Sequence, residues 1–262
     1  MATDPIHQFR IEKLIDFGQV NLPILGRTEL AFTNSHFAMT IAFVAIVGFM
    51  FVFTANMKVV PGRMQAAGEQ LFSMIDNMAN SIIGHDGAKY FPFVFTLFSL
   101  IFAMNILGIL LTFTVTSQLA ITATFALMTI ALVLIVGFWK NGFGFFKLFV
   151  PSGVPWILLP IIFPIEVVSF LLRPVTLALR LFGNMLGGHV AVTVFAGFVV
   201  ALGALAAGGG LGWLGIPGAA LSLSMVVALT ALDCLVAFLQ AFVFAILACI
   251  YINDVVNLGH GH

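Results

Sequence analysis

The sequence predicts an all-α integral membrane protein with five membrane-embedded helices and one amphipathic surface helix. Of 262 residues, 61% are hydrophobic and only 8% are charged, and the mean hydropathy is +1.17. A soluble domain of this size would lack the polar surface needed to cover its core. Apolar runs of about 18 residues or more recur along the chain, as membrane-crossing helices require, and the short alternating segments of a membrane β-barrel are absent. Ten Lys and Arg balance ten Asp and Glu, so the charge distribution offers no footprint for a nucleic acid.

Residues 1–35 read as a polar N-terminal tail, with Arg10, Lys13 and Arg27 set against Asp4, Glu12, Asp16 and Glu29. No charged start followed by a short apolar core and a small-residue cleavage site is present, so no removable signal peptide is expected. From residue 36 to residue 262 the chain reads as a single membrane domain. Its first span, 37–57, is closed by Lys58, Pro61 and Arg63. Over 61–87, Met64, Ala67, Leu71, Met74, Ile75, Met78 and Ile82 recur at three- and four-residue steps among charged residues. That is the period of a surface helix, resting either on lipid or on a protein partner.

Two spans occupy 90–139, joined by the polar turn Thr116-Ser117-Gln118, and form an antiparallel hairpin. Asn105 lies in mid-span, where an amide serves either helix-to-helix hydrogen bonding or a polar pathway. The last two apolar blocks, 155–207 and 219–256, are separated by Gly208-Gly209-Gly210-Leu211-Gly212 and Pro217-Gly218, a loop by composition. If wholly helical, the first block is about 80 Å long against a hydrocarbon core of about 30 Å, so it either breaks into two crossings or tilts. Pro160, Pro164 and Pro174 allow a break without requiring one. Lys58, Arg63, Lys89, Lys140 and Lys147 fall in one set of loops, which puts the N-terminal tail on the outer side and the C-terminus inside. Cys234 and Cys249 are roughly 22 Å apart along one helix, too far for a disulfide, and read as small apolar fillers.

Within the first long block, Glu166, Arg173, Arg180 and Gly187 recur at sevens and so share a helix face, with Asn184 beside them. Arg180 stays protonated at physiological pH, and placing such a charge in hydrocarbon costs between about 2.5 and 17 kcal/mol, depending on the measure. Gly183 and Gly187, with Gly188, bare the backbone near it, either as a helix-packing notch or as an approach for a partner helix. On the last block Asp233, Gln240 and Tyr251 share a second stripe. An antiparallel hairpin centred in the glycine loop pairs residues whose numbers add to roughly 420–422. That register sets Arg180 opposite Gln240, His189 opposite Asp233, and Glu166 opposite Asp254. A histidine beside a carboxylate can take and release protons near neutral pH, or the two can serve as a structural ion pair.

The run Thr176-Leu177-Ala178-Leu179-Arg180-Leu181-Phe182-Gly183-Asn184-Met185, with Pro164-Ile165-Glu166, Leu239-Gln240-Ala241-Phe242 and Asn105-Ile106-Leu107-Gly108, resembles subunit a of the F-type ATP synthases, called subunit 6 in mitochondria. The resemblance covers the chain from about residue 35 onward. It implies that the last two helices form a long, steeply tilted antiparallel hairpin, 155–256, lying against a ring of c subunits. It also implies peripheral-stalk subunits of the b type as partners, and a bacterial inner membrane or a mitochondrial inner membrane as location. The essential arginine falls on Arg180; Glu166, Asn184, His189, Asp233, Gln240, Asn105 and Tyr251 line the proton pathway, and Arg173, Gly183, Gly187 and Gly188 face the ring. The implied role is a stator channel of two offset half-channels that carries H⁺ to and from the ring carboxylate. Such a subunit is not catalytic alone, needs no cofactor or metal, and has no small-molecule substrate other than H⁺.

The main rival is a secondary ion-coupled transporter, which would carry matching interrupted segments in two halves. Residues 37–139 have no counterpart to the charged stripe. An intramembrane hydrolase would need a nucleophile motif or a zinc motif, and neither G-x-S-x-G nor H-E-x-x-H occurs. His260 and His262 read as a flexible tail rather than a metal site.

Overall fold

The computed structural model describes residues 13–22, 26–55, 58–110, 118–150, 157–207 and 215–258. Thr116 and Ser117, the glycine loop at 208–212, and His260 and His262 lie outside those residues. The protein is an all-α integral membrane protein; among the described residues, five helices are long and apolar enough to cross a membrane. Among the described residues there is also an N-terminal β-hairpin that the sequence reading missed. Strand β1 (Lys13–Leu22) pairs antiparallel with β2 (Gly26–Thr33), with Val20 opposite Thr28, Leu22 opposite Gly26, and two register shifts nearer the open end. Scattered charges obscure the alternation in Gln19-Val20-Asn21-Leu22 and Glu29-Leu30-Ala31-Phe32, and only the Pro23 to Gly26 turn signal stands out in the sequence.

Helix α1 (Asn34–Thr54) follows β2 directly. Its start is fixed locally: Asn34 Oδ1 accepts from the Ser35 amide at 3.0 Å, and the Thr33 hydroxyl meets His36 Nδ1 at 2.8 Å. Helix α2 (Arg63–Ile83) is the amphipathic element and buries Ile75, Met78, Ala79 and Ile83 along one side. Gly84 ends it at φ 78°, a left-handed conformation that glycine adopts without the steric cost of a Cβ, and a 3₁₀ turn then runs to Asp86. Helices α3 (Gly87–Leu110) and α4 (Leu119–Asn141) come next, followed by a 3₁₀ segment, Gly142–Phe149. Helix α5 runs unbroken from Leu159 to Ala207 and α6 from Gly215 to Val256. Of the two sequence readings of the 155–207 block, the one with a break is not what the structure holds.

The chain divides into two compact units. The first takes in residues 1–44, 102–118 and 182–239. In it the Ser35 hydroxyl donates to Gln118 Oε1 at 2.9 Å, Phe102 meets Phe238 edge-on at 5.9 Å, and a Cβ on Gly218 would stand 3.0 Å from the Leu202 side chain. The second takes in residues 45–101, 119–181 and 240–262. Its α6 segment buries Ala241, Ala245, Ala248 and Cys249 completely, small residues that permit the close helix packing used in membranes. Asn141 Nδ2 donates to the Val255 carbonyl at 2.6 Å and Asn257 Nδ2 to the Ile83 carbonyl at 3.1 Å. Phe145 and Phe149 of the 3₁₀ segment stack edge-on against Phe170 of α5 at 6.4 and 5.6 Å. Cys249 is buried, Cys234 is exposed, and both are free thiols.

Gly137 of α4 is where this packing has no slack: a Cβ there would fall 2.6 Å from the Phe145 ring and 3.4 Å from Val255. Gly137→Ala is therefore expected to destabilise the protein by about 1–3 kcal/mol, the usual cost of overpacking. Gly203→Ala, with nothing within 4 Å of the new methyl, should be neutral or stabilising because Ala favours helix over Gly. Thermal unfolding of the two variants in the same detergent checks the difference.

Candidate functional site

Two turns of α5 carry two arginines with opposite surroundings. Arg173 is about three-quarters buried, and its Nη1 donates to Asp254 Oδ2 of α6 at 3.0 Å. Its guanidinium also stands 5.1 Å from the centre of the Tyr251 ring, which is itself buried, and 5.8 Å from that of Phe170. Ion pair and ring faces together compensate the charge. Arg180, two turns further on, is exposed and makes no hydrogen bond or ion pair among the described residues.

This arrangement corrects the register expected from the sequence. Asp254 faces Arg173, not Glu166, a slip of two helical turns. Extrapolating from the loop to Glu166 spans about eleven turns of helix, over which small departures from ideal rise accumulate, and an arginine within reach captures the carboxylate. Glu166 is half-buried and has no hydrogen bond or ion pair among the described residues. Gln240, expected opposite Arg180, is buried, but no hydrogen bond joins the two. Arg173, expected to face a ring of other subunits, makes its ion pair within the chain.

Closer to the α5–α6 loop, the structure keeps the expected register. Gly188 lies against Asp233, and a Cβ at that position would collide with the carboxylate. His189 and Asp233, both half-buried, lie within electrostatic reach of each other. Glycine at 188 is thus the condition for Asp233 to approach α5. Gly183 and Gly187 are different: a Cβ at either would meet nothing within 4 Å, and Asn184 between them is exposed. Asn105 of α3 is fully buried and donates from Nδ2 to the Ala237 carbonyl at 3.2 Å, while its Oδ1 has no partner among the described residues.

Asp254 is the residue that sequence reasoning passed over as a site. Its signal was present, since it lies fourteen residues after Gln240 and therefore near the same α6 stripe. It also lines a cavity of about 870 Å³ with His85, Asp86, Lys140, Asn253 and Asn257. No cluster of three or more metal-binding side chains occurs among the described residues.

The chain as a whole is similar to proteins of one family. The profile described as ATP synthase A chain matches residues 36–253. The chain belongs to that family. The ATP synthase subunit a of Chelativorans sp. (strain BNC1) is 49% identical over 99% of this chain and all of its own. That of Rhodopseudomonas palustris (strain TIE-1) is 51% identical over 99% of this chain and all of its own, and that of Rhizobium etli (strain CIAT 652) is 47% identical with both chains fully covered. As a member of the ATP synthase A chain family it is a multi-pass protein of the bacterial inner membrane, a proton-translocating component of the synthase with no catalytic activity of its own.

The Arg173–Asp254 pair sits where each group depends on the other. Replacing either alone by Ala should leave a largely buried charge unpaired, and a double-mutant cycle should return a coupling of about 1 kcal/mol, the scale of interhelical polar contacts in membranes. Thermal unfolding of the wild type, two single variants and the double variant measures it; additive losses would dissociate the pair.

Proposed function

We propose that this chain is the stator channel of a rotary F-type ATP synthase, in which Arg180 couples proton flow to rotation of a ring of c subunits. One observation carries the reading: among the described residues no carboxylate pairs with Arg180, although it lies inside a 49-residue helix composed mainly of apolar residues. An uncompensated guanidinium in hydrocarbon is costly, so its partner comes from another chain. A carboxylate on the ring supplies that charge each time it loses its proton. The open faces of Gly183 and Gly187 let a neighbouring helix come close beside it.

On this reading two offset half-channels meet the ring on either side of Arg180. Asn105, Asn184, His189, Asp233 and Gln240 belong to the outer one, and Glu166 and Tyr251 to the inner one. Asp254 extends the inner path to the 870 Å³ cavity it lines. A permanent cation between the two paths repels a proton that would pass directly, and the potential of about 2.3 kcal/mol per charge per 100 mV is then spent on rotation. Helices of 49 and 42 residues have lengths of about 73 and 63 Å, so they lie steeply tilted as a hairpin within a core about 30 Å thick. The N-terminus is outside, and b-type stalk subunits hold the chain against the ring's torque.

Arg180→Lys is the test. A compact ammonium that can lose its proton would replace a permanent planar cation, so proton-driven ATP synthesis in reconstituted vesicles should fall to background. Near-normal synthesis would overturn the role.

A further inference from the structure

Between the start of α3 and the end of α4 there is a cavity of about 390 Å³ lined by Lys89, Tyr90, Ile135, Trp139, Lys140 and Asp86, among others. We propose that it is a binding site for the headgroup of an anionic phospholipid, with the acyl chains running along the outer face of α4.

The charge and the donors fit one phosphodiester. Lys140 Nζ is 2.6 Å from Asp86 Oδ2, a bond that occupies one of its three N–H donors and leaves two. Lys89 is exposed, makes no hydrogen bond or ion pair among the described residues, and has its ammonium 5.8 Å from the Tyr90 ring centre. Two ammonium groups and one carboxylate leave a single net positive charge facing the cavity. The Lys140 ammonium holds the Asp86 carboxyl below the usual carboxylate range, so this balance persists across physiological pH. Basic pockets between membrane helices are suited to anionic headgroups.

The surroundings select a lipid over a soluble anion. Trp139 is 89% exposed at the point where the apolar run of α4 gives way to Lys140 and Asn141, the level at which Trp and Tyr settle between hydrocarbon and headgroups. Met128 and Ile135, both more than half exposed, lie seven residues apart on the same face of α4 as Trp139 and continue the cavity wall into the hydrocarbon. A molecule with its phosphate at Lys89 and Lys140 therefore has an apolar track for its chains.

The test uses the purified complex reconstituted in phosphatidylcholine vesicles doped with phosphatidylglycerol that carries a photoreactive diazirine. Peptide mass spectrometry reads the adduct on residues 127–140. Phosphatidylglycerol should label this segment in clear excess over a diazirine phosphatidylcholine. Lys89→Gln should lower that excess about fivefold, the effect of one basic side chain near the surface. Lys89→Gln with Lys140→Gln should lower it further, and Lys89→Arg with Lys140→Arg should restore it, which separates lost charge from lost structure. Equal labelling by the two lipids, labelling that survives in the double Gln variant, or suppression by millimolar inorganic phosphate as complete as by unlabelled phosphatidylglycerol would each overturn the proposal.

Discussion

A guanidinium cannot shed its charge, and hydrocarbon cannot solvate it; the rest of this structure is arranged around that constraint. The two arginines of the α5 stripe show the two ways of meeting it. Arg173 is compensated inside the chain, by the Asp254 carboxylate at 3.0 Å and the Tyr251 ring at 5.1 Å. Arg180 lies two turns along the same helix and has neither among the described residues. The contrast matters more than either residue alone. The chain supplies Arg173 with a carboxylate, whereas Arg180 is exposed beside glycines at which a Cβ would meet nothing within 4 Å.

Uncharged polar groups obey a milder form of the same rule. Asn105, Asn141 and Asn257 each turn an amide donor onto a backbone carbonyl of a sequence-distant segment, Ala237, Val255 and Ile83 respectively. Such bonds are each worth roughly 0.6–2 kcal/mol in a membrane, and they fix which helix faces meet where apolar contact alone does not discriminate. Glycine performs the complementary task. Gly188 makes room for the Asp233 carboxylate, and Gly137 for the Phe145 ring.

Much of this was legible in the sequence, for reasons that also explain the failures. Length and apolarity define the membrane helices because hydrocarbon tolerates little else, and the three- and four-residue steps from Met64 to Ile82 set out α2 for the same reason. The facing of His189 and Asp233 followed from a symmetric hairpin because both lie within about seven turns of its loop. Asp254 did not follow, since the same extrapolation over eleven turns lost two of them and an arginine decided the outcome. The β1–β2 hairpin escaped because its alternation is interrupted by charge and by register shifts between Lys13 and Ile15 and between Asp16 and Gln19. No sequence pattern could announce the cavity at Lys89 and Lys140, which two helices create only by packing.

The central claim is that the open face around Arg180 is covered by another chain that carries a carboxylate. Cysteine introduced at Gly183 or Gly187, where nothing within 4 Å obstructs it, can be oxidised in membranes against a cysteine placed beside the membrane carboxylate of the ring subunit. The account predicts a disulfide-linked adduct at both positions and none at Gly203→Cys, about five turns away. A ring that co-purifies with the chain yet gives no adduct at 183 or 187, or gives as much at 203, would contradict it.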